Sequence, residues 1–199
     1  MEFCKSHDKL SLDELFNYIN ANGLSRKDSN VSFTALNSAN KVMTRVSEKY
    51  YFKDELVHFD VDGTDKALSR FVNGKIIALL SVKDFATFPP VEVYENNTWN
   101  PINWNGYLLE SFVRKHSRQF RFLNAITNNS LTGAIYPRDM PFKSQNHYRE
   151  LQAAVIIQEN IPLHDNAIRE FLSKEGFNKY LHEKIVKEII ELAQKMKRN

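Results

Sequence analysis

Apolar residues recur at helical spacing near the start of the chain. Ser11 is followed three residues later by Glu14, which is the arrangement of a capping box at a helix N-terminus. Gly23 supplies a left-handed stop. Between these signals the apolar positions repeat in steps of three and four, as on the buried face of a helix: Leu12, Leu15, Phe16 and Ile19. The pattern predicts a first amphipathic helix.

A second apolar stripe follows the polar segment "LSRKDSN". It predicts one helix that continues to about Tyr50 and has a polar, basic opposite face. The stripe consists of Leu36, Ala39, Met43, Val46 and Tyr50, and the opposite face of Asn37, Asn40, Lys41, Thr44 and Arg45. The next residues, "YYF-KDE-LVHF", indicate two short strands around a charged turn, which is a β-hairpin.

The order helix, gap, helix, hairpin resembles the later part of a winged helix-turn-helix domain. The resemblance lies in this order of elements and covers about a third of the chain. It departs from the usual pattern because only two helices precede the hairpin, unless "LSRKDSN" contains a short third helix.

The middle of the chain is less regular. "TDKALSRFV" predicts a short helix, and "KIIALLSV" fits either a buried strand or a helix. "VEVY" predicts a short strand, and "ENNTWNPINWNG" a long polar loop with two tryptophans. A domain boundary is expected in this region.

A second helix-plus-hairpin unit is predicted after this loop. Its helix has an apolar stripe that includes Leu108 and Phe112, and "QFRFLNAI" and "LTGAIYP" are strands around a turn at residues 127–130. Three helices follow: "YRELQAAVIIQEN", "DNAIREFLSKE" with Asp165 as N-cap and Gly176 as stop, and a last helix from about Lys179.

The last helix carries an apolar stripe that could pack on its own domain or form a dimer seam: Leu181, Ile185, Ile189, Leu192 and Met196. The predicted fold class is α+β and mainly helical, with two winged-helix-like units and a C-terminal helical bundle. The units are 1–74, a connecting segment 75–104, and 105–199.

Composition and charge limit the expected cellular location of the protein. The chain has 199 residues, a net charge of +3 and the single cysteine Cys4, so an internal disulfide is impossible and a reducing, cytoplasmic location is expected. No apolar run approaches the roughly 20 residues of a membrane span, and the N-terminus does not resemble a secretory signal. We therefore expect no membrane partner, and the oligomeric state stays open.

Residues 60–64, "DVDGT", resemble the signature of haloacid dehalogenase-type phosphatases. That resemblance implies a nucleophilic Asp60 and a general acid at Asp62, both near magnesium. The surrounding sequence lacks the alternating strands and helices of that fold. The preferred interpretation is structural: a strand ends at Phe59, Asp62-Gly63 makes a turn, and Thr64 or Asp62 caps the next helix.

Other catalytic or metal-binding patterns are missing from the sequence. The six glycines are scattered, and the six histidines do not form pairs at ligand spacing. We therefore predict no enzyme activity, no catalytic residue, no metal and no cofactor.

Two basic clusters favour nucleic acid. On a continuous helix, Lys41, Arg45 and Lys49 would share one face, beside Asn37 and Asn40. Asparagine and arginine are side chains that read base edges in the major groove of DNA. An ordinary solvated face is the alternative. The acidic stretch from Asp54 to Asp65 weighs against DNA and would suit a basic protein partner.

The second cluster lies in "VRKHSRQFRF". Its basic side chains alternate with Phe120 and Phe122, which could stack on unpaired bases or, by strand alternation, point into the core. The basic residues are Arg114, Lys115, His116, Arg118 and Arg121, and the predicted contacts to nucleic acid are made by the lysine and the three arginines.

The leading hypothesis is a non-catalytic nucleic-acid-binding or regulatory module, with DNA more probable than RNA. It requires both basic clusters to meet on one exposed flank. The alternative is a protein–protein adaptor that uses Trp99 or Trp104, because tryptophan often anchors interfaces. A metal-dependent hydrolase ranks third.

Overall fold

A computed structural model of the chain describes residues 2–25, 27–124 and 131–198. These residues form helices and small antiparallel sheets, which confirms the α+β class. None of the described helices is long and apolar enough to cross a membrane.

The described residues of 2–53, which we now call the first unit, form three helices and a three-stranded sheet of order β1-β3-β2. The capping box of Ser11 and Glu14 is confirmed at the start of α2. The third helix is the short α1 at the N-terminus, and "LSRKDSN" contains no separate helix among its described residues, because its last two residues begin α3. The elements are α1 (Glu2–Lys5), β1 (Lys9–Ser11), α2 (Leu12–Ala21), α3 (Ser29–Val42), β2 (Met43–Arg45) and β3 (Tyr50–Lys53).

The predicted long second helix is wrong beyond Val42. Residues Met43–Arg45 form the strand β2, and all three of their side chains are buried. The β-branched residues Thr44 and Val46 favour extended backbone here, and pairing with β3 supplies the hydrogen bonds that a longer helix would have made. The apolar residues at 43, 46 and 50 are spaced as on a helix only by coincidence.

The predicted hairpin is displaced along the chain. β2 and β3 form the hairpin around residues 46–49. β3 and β4 (Val57–Phe59) lie in different sheets and are joined by a 3-10 turn at Asp54–Leu56. "KDE" is therefore not a hairpin tip.

The second region contains two sheets, with strand orders β4-β6-β7 and β5-β9-β8. Residues 98–102, predicted as loop, form a strand that pairs with β6 across the tight turn Asn96-Asn97, where both φ angles are positive. "KIIALLSV" becomes a two-residue strand followed by a 3-10 turn. The elements are α4 (Val61–Val72), β5 (Ile77–Ala78), β6 (Val91–Glu95), β7 (Thr98–Ile102), α5 (Gly106–Lys115), β8 (Phe120–Leu123) and β9 (Ala134–Pro137).

The β8–β9 hairpin after α5 agrees with the sequence-based expectation, although its predicted turn at 127–130 lies outside the described residues. β9 lies between β8 and β5, just as β3 lies between β2 and β1. The chain thus uses one strand order twice: an early strand pairs with the second strand of a later hairpin.

Three helices end the chain: α6 (Tyr148–Gln158), α7 (Asp165–Lys174) and α8 (Glu183–Arg198). The N-cap of α7 is His164 and not Asp165, because the His164 ring accepts the Ala167 N–H. Val186 and Ile189 of α8 are fully buried against the C-terminal core. The prediction that the α8 stripe packs on its own domain is confirmed.

Buried apolar residues form three clusters. The first joins α1–α3 to their sheet, the second surrounds Phe112 of α5, and the third surrounds Ile156 of α6. Residues 75–104 contribute directly to the second cluster, through Leu79, Val82, Phe88, Val91 and Val93.

Candidate nucleic-acid interface

One face of α3 is polar and open to solvent. Helical spacing of four, three and four residues aligns Asn30, Thr34, Asn37 and Lys41, which we call the α3 polar face. Asn37 is half-buried and the other three are exposed, while Leu36 and Ala39 face the first core. Within the described residues, the side chains of Thr34, Asn37 and Lys41 have no hydrogen-bond or ionic partner. These groups are free to bind a ligand.

The start of α3 is fixed by Asp28. Its carboxylate accepts the backbone N–H groups of Asn30 and Val31 at 2.8 and 3.4 Å. Asn40 lies half-buried on the flank of the helix, beside the α3 polar face. Of the predicted site residues, Asn37, Asn40 and Lys41 are thus correctly placed on one helix, and their exposure decreases from Lys41 to the asparagines.

Arg45 is not on the α3 polar face, which corrects the sequence-based expectation. Its guanidinium donates to the carbonyls of Ser47 and Glu48 at 3.2 and 2.8 Å and lies 4.2 Å from the centre of the Tyr107 ring. Only 8% of Arg45 is exposed. This side chain holds the β2–β3 turn and cannot reach a phosphate, whereas Lys49 is exposed at the tip of that turn.

Lys115 is also withdrawn from the surface. Its ammonium donates to the Met43 carbonyl at 2.6 Å and to the Asp54 carboxylate at 2.5 Å, and Asp54 also accepts the Thr44 hydroxyl at 2.7 Å. Burial lowers the pKa of Lys115, and the hydrogen bond to Asp54 opposes that shift. The acidic residue expected to repel DNA therefore neutralises a lysine expected to bind it.

A second contact closes the same junction between α5 and β2. The Ser111 hydroxyl accepts the N–H of Arg45 at 3.0 Å and donates to its carbonyl at 3.2 Å. Ser111 thus satisfies both backbone groups of a residue in β2, which is an edge strand of its sheet. We call Arg45, Asp54, Ser111 and Lys115 the α5–β2 junction.

The remaining basic residues of "VRKHSRQFRF" are scattered. Arg114 binds Glu110 at 2.8 Å, and Arg118 binds Asp62 at 3.0 Å in a highly exposed pair. Arg121 is half-buried opposite Tyr136 on β9, and its Nε is buried without a partner in the described part of the chain. These basic side chains therefore do not form the expected flank of unpaired positive charges.

Phe120 and Phe122 point inward, with 4% and 6% exposure. The strand-alternation alternative is the correct one, and these rings cannot stack on bases.

The "DVDGT" string starts α4. Asp60 is the N-cap and accepts the Gly63 N–H at 2.9 Å, so the predicted Asp62-Gly63 turn is replaced by the first turn of the helix. The strand before it ends at Phe59 as expected. The side chain of Asp65 is buried and accepts the Ser117 hydroxyl at 2.6 Å and the N–H of Arg118 at 2.8 Å. These carboxylates have structural partners.

His116 is a half-buried titratable group next to the junction. Its Nε2 has no partner among the described residues, and its ring packs on Phe59 and Phe112. Burial lowers the pKa of His116. Across residues 2–25, 27–124 and 131–198, no group of three or more His, Cys, Asp or Glu side chains could hold a metal ion.

The outer side of the β4-β6-β7 sheet carries a group of aromatic rings that sequence reasoning missed. Trp99 lies 5.3 Å from Tyr94 and 6.1 Å from His58, measured between ring centres, and Glu92 lies opposite His58. Strand alternation in "VEVY" and "TWNPI" could have revealed this aromatic face of His58, Tyr94 and Trp99. Trp104 instead lies half-buried, with its indole N–H bound to the Pro89 carbonyl at 2.7 Å.

Comparisons of the chain with protein-family models, with curated proteins and with solved structures found no match.

Proposed function

We propose that the protein is a non-catalytic DNA-binding module whose first unit is winged-helix-like and whose helix α3 enters the major groove. The observation that carries the proposal is the α3 polar face, which lies on the helix directly before a β-hairpin. A helix of this kind, second in a helix-turn-helix pair, is the element that reads bases in such domains. The reducing, cytoplasmic setting belongs to the same proposal.

The order of elements supports this proposal. The unit contains helix, strand, helix, helix and hairpin, and α1 supplies the helix that the sequence pattern lacked. α2 and α3 are joined by the short segment 22–28, and the exposed Lys49 lies at the hairpin tip. Under this proposal the hairpin contacts the phosphates beside the groove that α3 enters.

The chemistry of the α3 polar face suits base reading better than charge neutralisation. Asparagine can pair bidentately with adenine, and threonine can donate to or accept from base edges. Lys41 is the one cation of that face, so the attraction to phosphate is weak. We expect modest affinity for DNA and discrimination between sequences that rests on Asn37.

A salt titration of duplex DNA binding, followed by fluorescence anisotropy, tests this function. We expect affinity to fall as salt rises, and Lys41→Gln to reduce the slope of log affinity against log salt by about 1. Lys195→Gln is the matched control, because Lys195 is an exposed lysine on α8. Absence of binding at low salt, or equal effects of the two substitutions, would refute the proposal.

A second candidate function, a protein adaptor, is favoured by the aromatic face. Trp99 is 44% exposed, and Glu92 adds a carboxylate opposite His58 of the same face. Aromatic rings and a nearby acid attract arginine and lysine through cation–π and ionic contacts. The partner we propose is therefore a basic peptide segment of another protein.

This second function is tested by titrating nonaarginine and nonaglutamate peptides while observing the NMR signals of the aromatic face. We expect nonaarginine alone to shift them, and Trp99→Ser to weaken its binding at least tenfold. Tyr180→Ser is the control, because Tyr180 is an aromatic residue with 75% exposure on another element. Equal response to both peptides would exclude a basic partner. Trp104 is unsuitable for this test because its ring supports the core.

A further inference from the structure

A pocket of about 350 Å³ lies between α1, α2 and α3. Its walls are apolar and come from Leu15 and Ile19 of α2 and from Val31 and Ala35 of α3. Pockets of this size are at the lower end of the range that holds small organic ligands, and far too small for a helix of a partner protein. The volume of the pocket therefore fits a small molecule and not a helix of a partner protein.

Aromatic residues form one side of this pocket. Phe3 stacks on Tyr18 with ring centres 4.0 Å apart and planes within 10° of parallel, and both rings line the pocket. Tyr18 and Leu24 at its mouth are 44% and 52% exposed. Exposed apolar side chains that lie together often mark a ligand-binding site, and here two of them line the same pocket. A ring-shaped ligand would extend the stack.

Polar groups in the pocket are few and uncharged. The hydroxyls of Thr34 and Ser38 are one helical turn apart on α3, and neither has a hydrogen-bond partner within the described residues. Cys4 lines the pocket as well, and burial raises the pKa of its thiol, so the sulfur is protonated at neutral pH. None of the described lining residues carries a charge.

We propose that this pocket is a binding site for a small, uncharged, largely apolar molecule with an aromatic ring and one hydrogen-bonding group. The ring packs between the Phe3–Tyr18 stack and the aliphatic wall, and the polar group bonds to Thr34 or Ser38. A charged ligand is excluded, since its charge would be desolvated without a counter-ion. This inference does not require DNA binding, although Asn30 and Thr34 belong to both the pocket and the α3 polar face.

Two fluorescent probes that differ by a single charge test the ligand class. N-phenyl-1-naphthylamine is uncharged, and 8-anilinonaphthalene-1-sulfonate adds one sulfonate to the same rings. We expect saturable binding of the uncharged probe with one-to-one stoichiometry, and at least tenfold weaker binding of the sulfonate. Equal affinities, or no saturable binding of the uncharged probe, would overturn the proposal.

Substitutions of residues in the pocket test whether the uncharged probe binds there. Ala35→Phe fills the pocket and is expected to weaken binding of N-phenyl-1-naphthylamine at least tenfold, with an unchanged circular dichroism spectrum. Tyr18→Ser removes one wall from an exposed position, so it provides the same test if Ala35→Phe does not fold. Tyr180→Ser is the matched control and should leave binding unchanged. A loss as large in Tyr180→Ser as in Tyr18→Ser would show that the probe binds elsewhere.

Discussion

The helices α3 and α5 occupy equivalent places in two units that share one strand order, yet their surroundings differ. α3 presents Thr34 and Lys41 to solvent without partners among the described residues. α5 has its apolar residues Leu108, Leu109 and Phe112 fully buried. Each helix directly precedes the hairpin of its own unit.

This difference teaches that the same strand order does not give two helices the same exposed surface. α5 packs against the edge strand β2 of the first unit through the α5–β2 junction, and its other side packs in the second core. The second unit therefore contacts the first one through α5, and under the proposed function base reading is assigned to α3. The predictions below test this division of roles.

The largest effect is expected from truncation of α5 in the core. Phe112→Ala should lower the free energy of unfolding by about 3–5 kcal/mol, because Phe112 is fully buried and packs against Phe59 and Trp104. Asn37→Ala on α3 should change the free energy of unfolding by less than about 0.5 kcal/mol. Urea denaturation measures both values. A large loss in Asn37→Ala would mean that α3 is a structural helix like α5.

A medium effect is expected at the α5–β2 junction. Lys115→Met keeps the aliphatic stem but removes the ammonium from Asp54 and from the Met43 carbonyl, so it should cost about 2 kcal/mol of unfolding free energy. Arg118→Met breaks a pair whose side chains are 71% and 83% exposed and should cost less than about 0.5 kcal/mol. If urea denaturation gave the same loss of unfolding free energy for Lys115→Met and Arg118→Met, the junction would not join the two units.

The smallest effect is a pH dependence from His116. Its folded-state pKa lies below the ordinary value of 6.5, so the unfolded chain binds the proton more readily. Stability is therefore unaffected above about pH 6.5 and falls as the pH decreases from there to the lower folded-state pKa. One group contributes at most about 1.4 kcal/mol per pH unit.

His116→Gln should flatten this decrease when unfolding free energies are measured from pH 5 to 8. His58→Gln, at an exposed histidine of the aromatic face, is the matched control for the change of side chain. A decrease that persists in His116→Gln would place the titrating group elsewhere.

Local signals in the sequence predicted the elements well where a few neighbouring residues decide the outcome. The capping box of Ser11 and Glu14 is confirmed because its contacts lie within one helical turn, and the apolar stripe of α5 because its spacing is visible over a few neighbouring residues. The end of α3 could not be predicted in the same way, since residues 43–45 become a strand only when β3 is available as a partner.

The sequence by itself determined the mixed α+β class, the polar composition of α3 and the clustering of basic residues around Arg114–Arg121. Only the tertiary structure decided which of these residues are free. Asp54 is 61 positions from Lys115 and Ser111 is 66 from Arg45, yet each pair is in direct contact. Charge and hydrogen-bonding capacity are properties of single side chains, but their availability depends on partners that only folding brings close.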